Sequence, residues 1–254
     1  MTANPAADDQ GGPGTGDDAG HRPLTGEDTG HRPRTAEDPG YPAVAHTTPG
    51  RHRERIRYDR DTVHAVLDEA LICSVGFVSD GRPVVLPTLH VRSWETVYLH
   101  GSTGSWLRRV AVEGGEVCVS ATVVDALVLA RSAFHHSMNY RSVVLFGRPR
   151  EVVDRAEKRA SLAALVDHVL PGRSDEVRGP NPRELAATIV LALDLAEVSA
   201  KVRSGPPVDD EEDQIAPTWA GVVPVRSGLG EPFPARELPT GMALPPSLAG
   251  LIAP

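Results

Sequence analysis

The stretch Ser132–Gly147, Ser-Ala-Phe-His-His-Ser-Met-Asn-Tyr-Arg-Ser-Val-Val-Leu-Phe-Gly, gathers a dense set of chemically able side chains in a chain of 254 residues. His135 and His136 offer acid–base or ligand chemistry near neutral pH. Asn139, Tyr140 and Arg141 offer directed hydrogen bonds and a fixed positive charge. The polar part then runs into Val143-Val144-Leu145-Phe146, which reads as a buried strand. Polar groups at the mouth of a rigid strand are a common way to build a small-molecule site. Side chains alternate along an extended segment, so at most one of His135 and His136 faces such a mouth. Three roles stay open for them: general acid, haem or metal ligand, or hydrogen-bonded structural histidine. His90 and His100 carry the same alternatives, and His100, beside Gly101, is the better placed of that pair.

A second chemical signal lies at 96–112. Val97-Tyr98-Leu99 reads as a strand that runs into Gly101-Ser102-Thr103-Gly104-Ser105, and a short helix starts at Trp106. Strand, Gly/Ser/Thr loop and helix start together present N–H groups and hydroxyls to an anion. Arg108 and Arg109 add positive charge one turn into the helix. The Gly-Lys-Ser/Thr ending of a Walker loop is missing, and no Gly-x-Gly-x-x-Gly opens a helix.

The elements that must position these groups follow from pattern. Val63, Val66, Leu67 and Ala70 recur with helical spacing, so 60–70 is expected as a helix capped by Asp59 or Asp61. Leu71–Ser79 and Val84–Val91 read as strands joined by the hairpin signal Asp80-Gly81. Pro87 marks an edge or a bulge, with backbone groups freed beside Thr88. Glu116–Val124 and Ala126–Ala130 are expected as strands with a turn at Asp125. Asp154 caps a helix with Leu162, Leu165, Val166 and Val169 on its inner stripe. Glu157, Lys158 and Arg159 form its wet face, and Pro171-Gly172 ends it. Further strands are expected at Thr188–Leu193, Val198–Arg203 and Trp219–Val225. Seven or eight strands with two helices fit a mainly β fold, a barrel with helices packed outside.

Composition bounds the rest. Residues 15–44 repeat a decad, Thr15–Leu24, Thr25–Arg34 and a worn third copy, which has no apolar face and reads as a disordered tail. The expected division is a tail at 1–54, one domain at 55–225 and a Pro/Gly-rich tail at 226–254. Net charge is −8 and no basic stripe appears, which speaks against nucleic acid as a partner. No run approaches a membrane span, and the first residues lack a signal-peptide core, so a soluble cytoplasmic protein is expected. Cys73 and Cys118 lie in apolar runs and read as buried free thiols. Their spacing with the histidines matches no zinc pattern.

Phe134-His135-His136-Ser137-Met138-Asn139-Tyr140-Arg141-Ser142-Val143-Val144 resembles the signature of flavin-nucleotide-binding proteins of the pyridoxamine 5′-phosphate oxidase superfamily, close to the Nim-type nitroimidazole reductases. Arg57-Tyr58-Asp59-Arg60, Leu86–His90 with Tyr98–Ser102, and Ser199–Asp213 carry the same resemblance, in order, over about 55–225. The resemblance implies an FMN-binding split β-barrel and a homodimer with the cofactor at its interface. It implies ring contacts at Leu86, Pro87 and Thr88, with His100 at the cleft. Phosphate contacts are implied at Ser102, Thr103, Ser105 and Arg108, and one cleft wall at Asn139, Tyr140 and Arg141. Trp106 and Trp219 are wall, core or dimer-interface residues. Two positions depart from the family pattern: Ser74, where a histidine is common, and Ser174, where a bulkier residue is expected. The acidic run Asp209–Asp213 is a solvated loop or a lid. The implied activity is passage of hydride or electrons from a reduced nicotinamide to a small nitroaromatic, quinone or enone. The alternatives are a flavin-binding module without turnover, and a split barrel that uses haem or deazaflavin F420.

Overall fold

The computed structural model describes residues 39–239 and 241–251. In chain order these form β1 (Ile56–Arg57), α1 (Arg60–Glu69), β2 (Ile72–Ser79), β3 (Arg82–Ser93), β4 (Thr96–Ser102), α2 (Trp106–Glu113), β5 (Val117–Leu129), β6 (Ser137–Gly147), β7 (Arg150–Glu151), α3 (Arg155–Val169), α4 (Arg173–Glu176), α5 (Pro182–Ala187), β8 (Thr188–Asp194), β9 (Glu197–Arg203), β10 (Gly221–Pro224) and α6 (Pro246–Ala249). Both full decad copies and the start of the third lie outside the described residues.

The strands run β1-β9-β6-β5-β2-β3-β4-β8-β7, every pair antiparallel, with β10 beside β5. This is the expected mainly β split barrel. Alternation sets its inside. Leu86, Val75, Val119, Leu145 and Val198 stand in one ladder row across five strands and face the core. The neighbouring row, Pro87, Ser74, Ser120, Val144 and Ser199, faces outward. Helix α1 places Val63, Val66 and Leu67 into the barrel against β3, β5, β6 and β9, with Asp59 capping it through the Thr62 N–H. β4 and β8 are buried on both faces. Val97 and Leu99 join the main core, while Tyr98 and Val190 join a second one under α3 with Val91, Val152 and Leu165.

β3 serves both halves of the split barrel. Residues 82–89 pair with β2, and His90–Ser93 pair with β4. Asp80 and Gly81 both take positive φ, as a two-residue hairpin turn requires. Pro87 does not interrupt the strand. It pairs with Ser74 while the other edge of 82–89 has no partner strand among the described residues, so the expectation of an edge holds locally.

Four expectations change. Asp125 is a bulge inside one long β5, because β6 pairs with it on both sides of the irregularity. β6 begins at Ser137, so Asn139, Tyr140 and Arg141 are ladder residues and not loop. Glu157 is only 6% exposed and leaves the wet face of α3: it accepts from the Tyr98 hydroxyl at 3.0 Å and from Arg150 at 2.5 Å. The structured chain also starts before residue 55. Tyr41 is buried, its N–H donates to the Tyr58 carbonyl at 2.8 Å, and its hydroxyl lies 2.8 Å from both Glu95 and His64. Arg60 lies 4.5 Å over the Tyr41 ring. Gly40 permits this docking: its φ is +71°, and a Cβ there would meet the Tyr58 carbonyl oxygen at 2.5 Å. At the other end, Ser247 donates to Glu176 through its N–H and hydroxyl, at 2.8 and 2.6 Å.

His90 gives the fold a pH dependence. It is fully buried and donates from Nε2 to the Leu67 carbonyl at 3.0 Å. Burial, with His168 beside it, pulls its pKa down to about 4. A histidine in the unfolded chain titrates near ~6.5. Between these values the unfolded chain binds a proton that the folded chain refuses. Stability is therefore complete above about pH 6.5 and falls as pH drops toward 4, by about 3 kcal/mol. Urea unfolding of the wild type between pH 7 and 4.5 should show this slope, and His90→Leu should flatten it.

Candidate functional site

The stripe of α3 does not close on a core along its whole length. Leu162, Leu165, Val166 and Val169 form one wall of a cavity of about 780 Å³. Leu89 on β3, His100 on β4 and Thr188 on β8 line it from the sheet. The segment from Leu170 to Glu184, with Arg173, Ser174, Val177 and Arg178, covers it. This explains why Val166 and Val169 are 37% and 50% exposed on a face that the helical pattern assigns to the interior.

Polar clasps hold that cover in place. Asp167 accepts from the N–H and hydroxyl of Ser174 at 2.8 and 2.6 Å. Ser174 thus stands where a bulkier residue is expected because it ties α4 to α3. Arg178 makes a two-pronged pair with Glu184 at 2.8 and 2.6 Å and holds that carboxyl down to about 2. Arg159 donates to the Pro180 carbonyl at 2.8 Å. Asn181 caps α5 and completes a capping box with Glu184.

His100 is the sheet's chemical contribution. It lines the cavity, and its Nδ1 is buried without a hydrogen-bond partner. Burial lowers its pKa, so the imidazole is neutral at neutral pH. A neutral imidazole in a largely apolar cavity suits a large apolar ligand that offers it a hydrogen-bond or metal partner.

The other expected site residues lie elsewhere. Ser102, Thr103 and Ser105 form the turn after β4, two to five residues beyond His100, and the Thr103 N–H donates to the Ala187 carbonyl at 2.9 Å. The Ser105 hydroxyl is buried without a partner, and Arg108 is exposed. Leu86 and Thr88 stand on the inward side of β3 and Pro87 on its outer side. Asn139, Tyr140 and Arg141 lie on β6, three strands from β3 and four from the β4 of His100, about 14 and 19 Å across the sheet. Asn139 is closed by bonds to Gly205 and Arg203, and Tyr140 is half-buried.

Arg141 binds Glu69 at 2.7 and 2.9 Å and Asp125 at 2.7 Å. These bonds push its pKa further up. Neither His135 nor His136 lines the cavity: His135 pairs with Asp210 at 3.1 Å, and His136 bonds the Ser132 carbonyl at 2.9 Å. His135, Asp210 and Asp213 place ligand-type atoms within 4.8 Å of one another. Arg131 holds the acidic run in place by two 2.8 Å bonds to Asp209. Trp106 stacks on Phe77 at 4.8 Å, a core contact, while Trp219 is exposed. Cys73 and Cys118 are free thiols, and burial pushes Cys73 up to about 12.

Arg141 is thus a structural clamp between the end of α1, the β5 bulge and β6. Arg141→Gln should cost about 1–2 kcal/mol. That corresponds to a fall of about 2–8 °C in Tm by calorimetry. An unchanged Tm would remove the clamp role.

Residues 59–202 match the pyridoxamine 5′-phosphate oxidase family. Over 84% of this chain and 99% of the other, the sequence is 38% identical to the flavocytochrome Anf3 from Azotobacter vinelandii, with a TM-score of 0.77. A FAD and haem binding protein from Mycobacterium smegmatis is 42% identical over 78% of this chain and 97% of its own, with a TM-score of 0.74. A protein assigned to 5-nitroimidazole antibiotic resistance, from Bacteroides thetaiotaomicron, shares the fold at 20% identity and a TM-score of 0.50, over 58% of this chain and 86% of its own. No functionally curated protein matches the chain. Family match and long-range identity agree with the ladder and its inward rows: the chain belongs to the pyridoxamine 5′-phosphate oxidase family.

Proposed function

We propose that this chain is a cytoplasmic, homodimeric redox protein that binds flavin and haem together. The observation that carries the haem half is the cavity under α3, with His100 as its one imidazole among the lining residues. The cavity's volume and apolar walls fit a porphyrin. Nε2 of His100 would hold the iron. The names of the two relatives at 38% and 42% identity, a flavocytochrome and a FAD and haem binding protein, support the pairing. The family resemblance implies FMN, and the mycobacterial relative favours FAD. The contacts proposed for the flavin are the β3 backbone at Leu86-Pro87-Thr88 and the turn Ser102-Thr103-Ser105 with Arg108.

When bound, the flavin supplies two-electron exchange with a reduced nicotinamide, and the haem supplies one-electron exchange. The chain's own residues position and shield. β4 joins the two sites, because His100 and the Ser102–Ser105 turn sit at the same end of one rigid, doubly buried strand. Leu162, Leu165, Val166 and Val169 would give the haem side an apolar wall. His100 remains a neutral ligand because burial disfavours its protonation. The acceptor proposed from the family is a small nitroaromatic, quinone or enone.

Reconstitution with haemin and with FAD or FMN tests this. The wild type should show a Soret band and a flavin band, and each group should raise Tm because it binds the native state. His100→Ala should lose haem affinity at least about tenfold and keep its flavin. Haem held equally well by His100→Ala would overturn the cavity assignment. A protein that gains no stability with either flavin would overturn the flavin reading. Consumption of NADH or NADPH with an acceptor panel then separates an enzyme from a binding module.

A further inference from the structure

We propose that residues 226–239 and 241–245 belong to a strap that packs on a second copy of this chain, over the exposed apolar face of that copy's β2–β3 hairpin. The proposal rests on the homodimer reading above and states which segments build the interface.

The strap is pinned at both ends. Before it, β10 pairs with β5 and the Val225 N–H donates to the Asp125 carbonyl at 2.9 Å. After it, Ser247 is bonded to Glu176. Between these anchors the backbone bonds found are local turns, Leu238 to Ala235 and Met242 to Pro239, both at 3.2 Å. Leu229, Phe233, Leu238, Met242 and Leu244 are all exposed, Phe233 by 92%. Pro232, Pro234 and Pro239 fix φ along the strap, so docking costs it less chain entropy.

The complement lies on the same chain. The hairpin exposes Leu71, Ile72, Val78 and Val85, the last by 65%. Register places Ile72, Val78, Val85 and Pro87 on the outer face of the sheet, opposite the core row. Strap and hairpin are both exposed in the single chain, so the strap does not cover its own hairpin. Two complementary patches on one chain are what a two-fold interface needs: each strap meets the partner's hairpin. The strap carries Arg226, Glu231, Arg236 and Glu237, two charges of each sign, so nothing in it selects a strongly charged partner. The nineteen described strap residues plus the hairpin are of the order of the ~20–30 residues a side in a standard stable interface.

Sedimentation analysis of the full chain tests the proposal. The wild type should be a dimer at micromolar concentration. Leu229→Ser/Phe233→Ser/Met242→Ser should weaken it about 30-fold or more, with an unchanged monomer circular-dichroism spectrum because these side chains touch little in their own chain. Ile72→Ser/Val85→Ser should weaken it similarly. The two sets combined should lose no more than either alone, since they remove opposite sides of one contact. Strictly additive losses would place the strap elsewhere and overturn the proposal. So would a wild-type monomer, or a dimer indifferent to the strap changes. Flavin and haem bands, read on the wild-type dimer, report the cofactor reading separately.

Discussion

A single hydrogen bond, from the His90 imidazole to the Leu67 carbonyl, sits where β3 leaves one half of the split barrel for the other. Leu67 lies in the last turn of α1, where carbonyls have no partner within the helix. His168 donates in the same way to the Ala70 carbonyl at 3.1 Å, and its ring lies 5.3 Å from that of His90. Two imidazoles, from β3 and α3, therefore finish a helix that belongs to neither. A carbonyl only accepts, so Nε2 of His90 carries the proton. Nδ1 is left bare in the core, with nothing to receive a second one. This junction ties α3, the cavity wall, to α1, the barrel's plug. The wall's position is inherited from the barrel core.

The cavity's cover is held differently. Between α3 and β8 the chain has few buried apolar residues, and Leu185 is the one of α5 that reaches the interior. Its attachment comes from Asp167 with Ser174, Arg178 with Glu184, and Arg159 with the Pro180 carbonyl. Such bonds at the surface are individually modest and exchange readily with water. A rigid floor on β3, β4 and β8 thus faces a cover that opens at smaller cost than the barrel itself. That asymmetry lets a large ligand reach the cavity without unfolding the sheet.

Local chemistry was the legible part of the sequence. The caps Asp59 and Asp154, the Asp80-Gly81 turn and the alternating strands act within a few residues, and the structure has them where the pattern puts them. His100 stood out beside Gly101 as a candidate for a flavin cleft, and the cavity that it lines is a different one, under α3. The wall of the cavity was not, because an apolar stripe at helical spacing looks the same whether it meets a core or a void. Arg141 read as a free cation since Glu69 and Asp125, which hold it, lie 72 and 16 positions away. Glu157 read as wet because its partner Tyr98 sits inside an apolar strand run. Tyr41 was hidden in a segment whose repeats carry no apolar face, although its ring and hydroxyl find a complete site on α1 and Glu95.

The unpaired edge of β3 has a consequence for how the protein behaves in a crowded solution. A free strand edge offers a template on which another molecule's strand can grow. Pro83 and Pro87 both pair with β2, at Val78 and Ser74, so their missing N–H groups fall on the free side. Val85 and Leu89 keep the donors at the alternate positions, and an incoming strand meets a gap before each of them. Fibril growth along this edge would have to tolerate a broken ladder from its first residues. The two prolines therefore protect the molecule against self-templated aggregation while its hairpin stays open on that side.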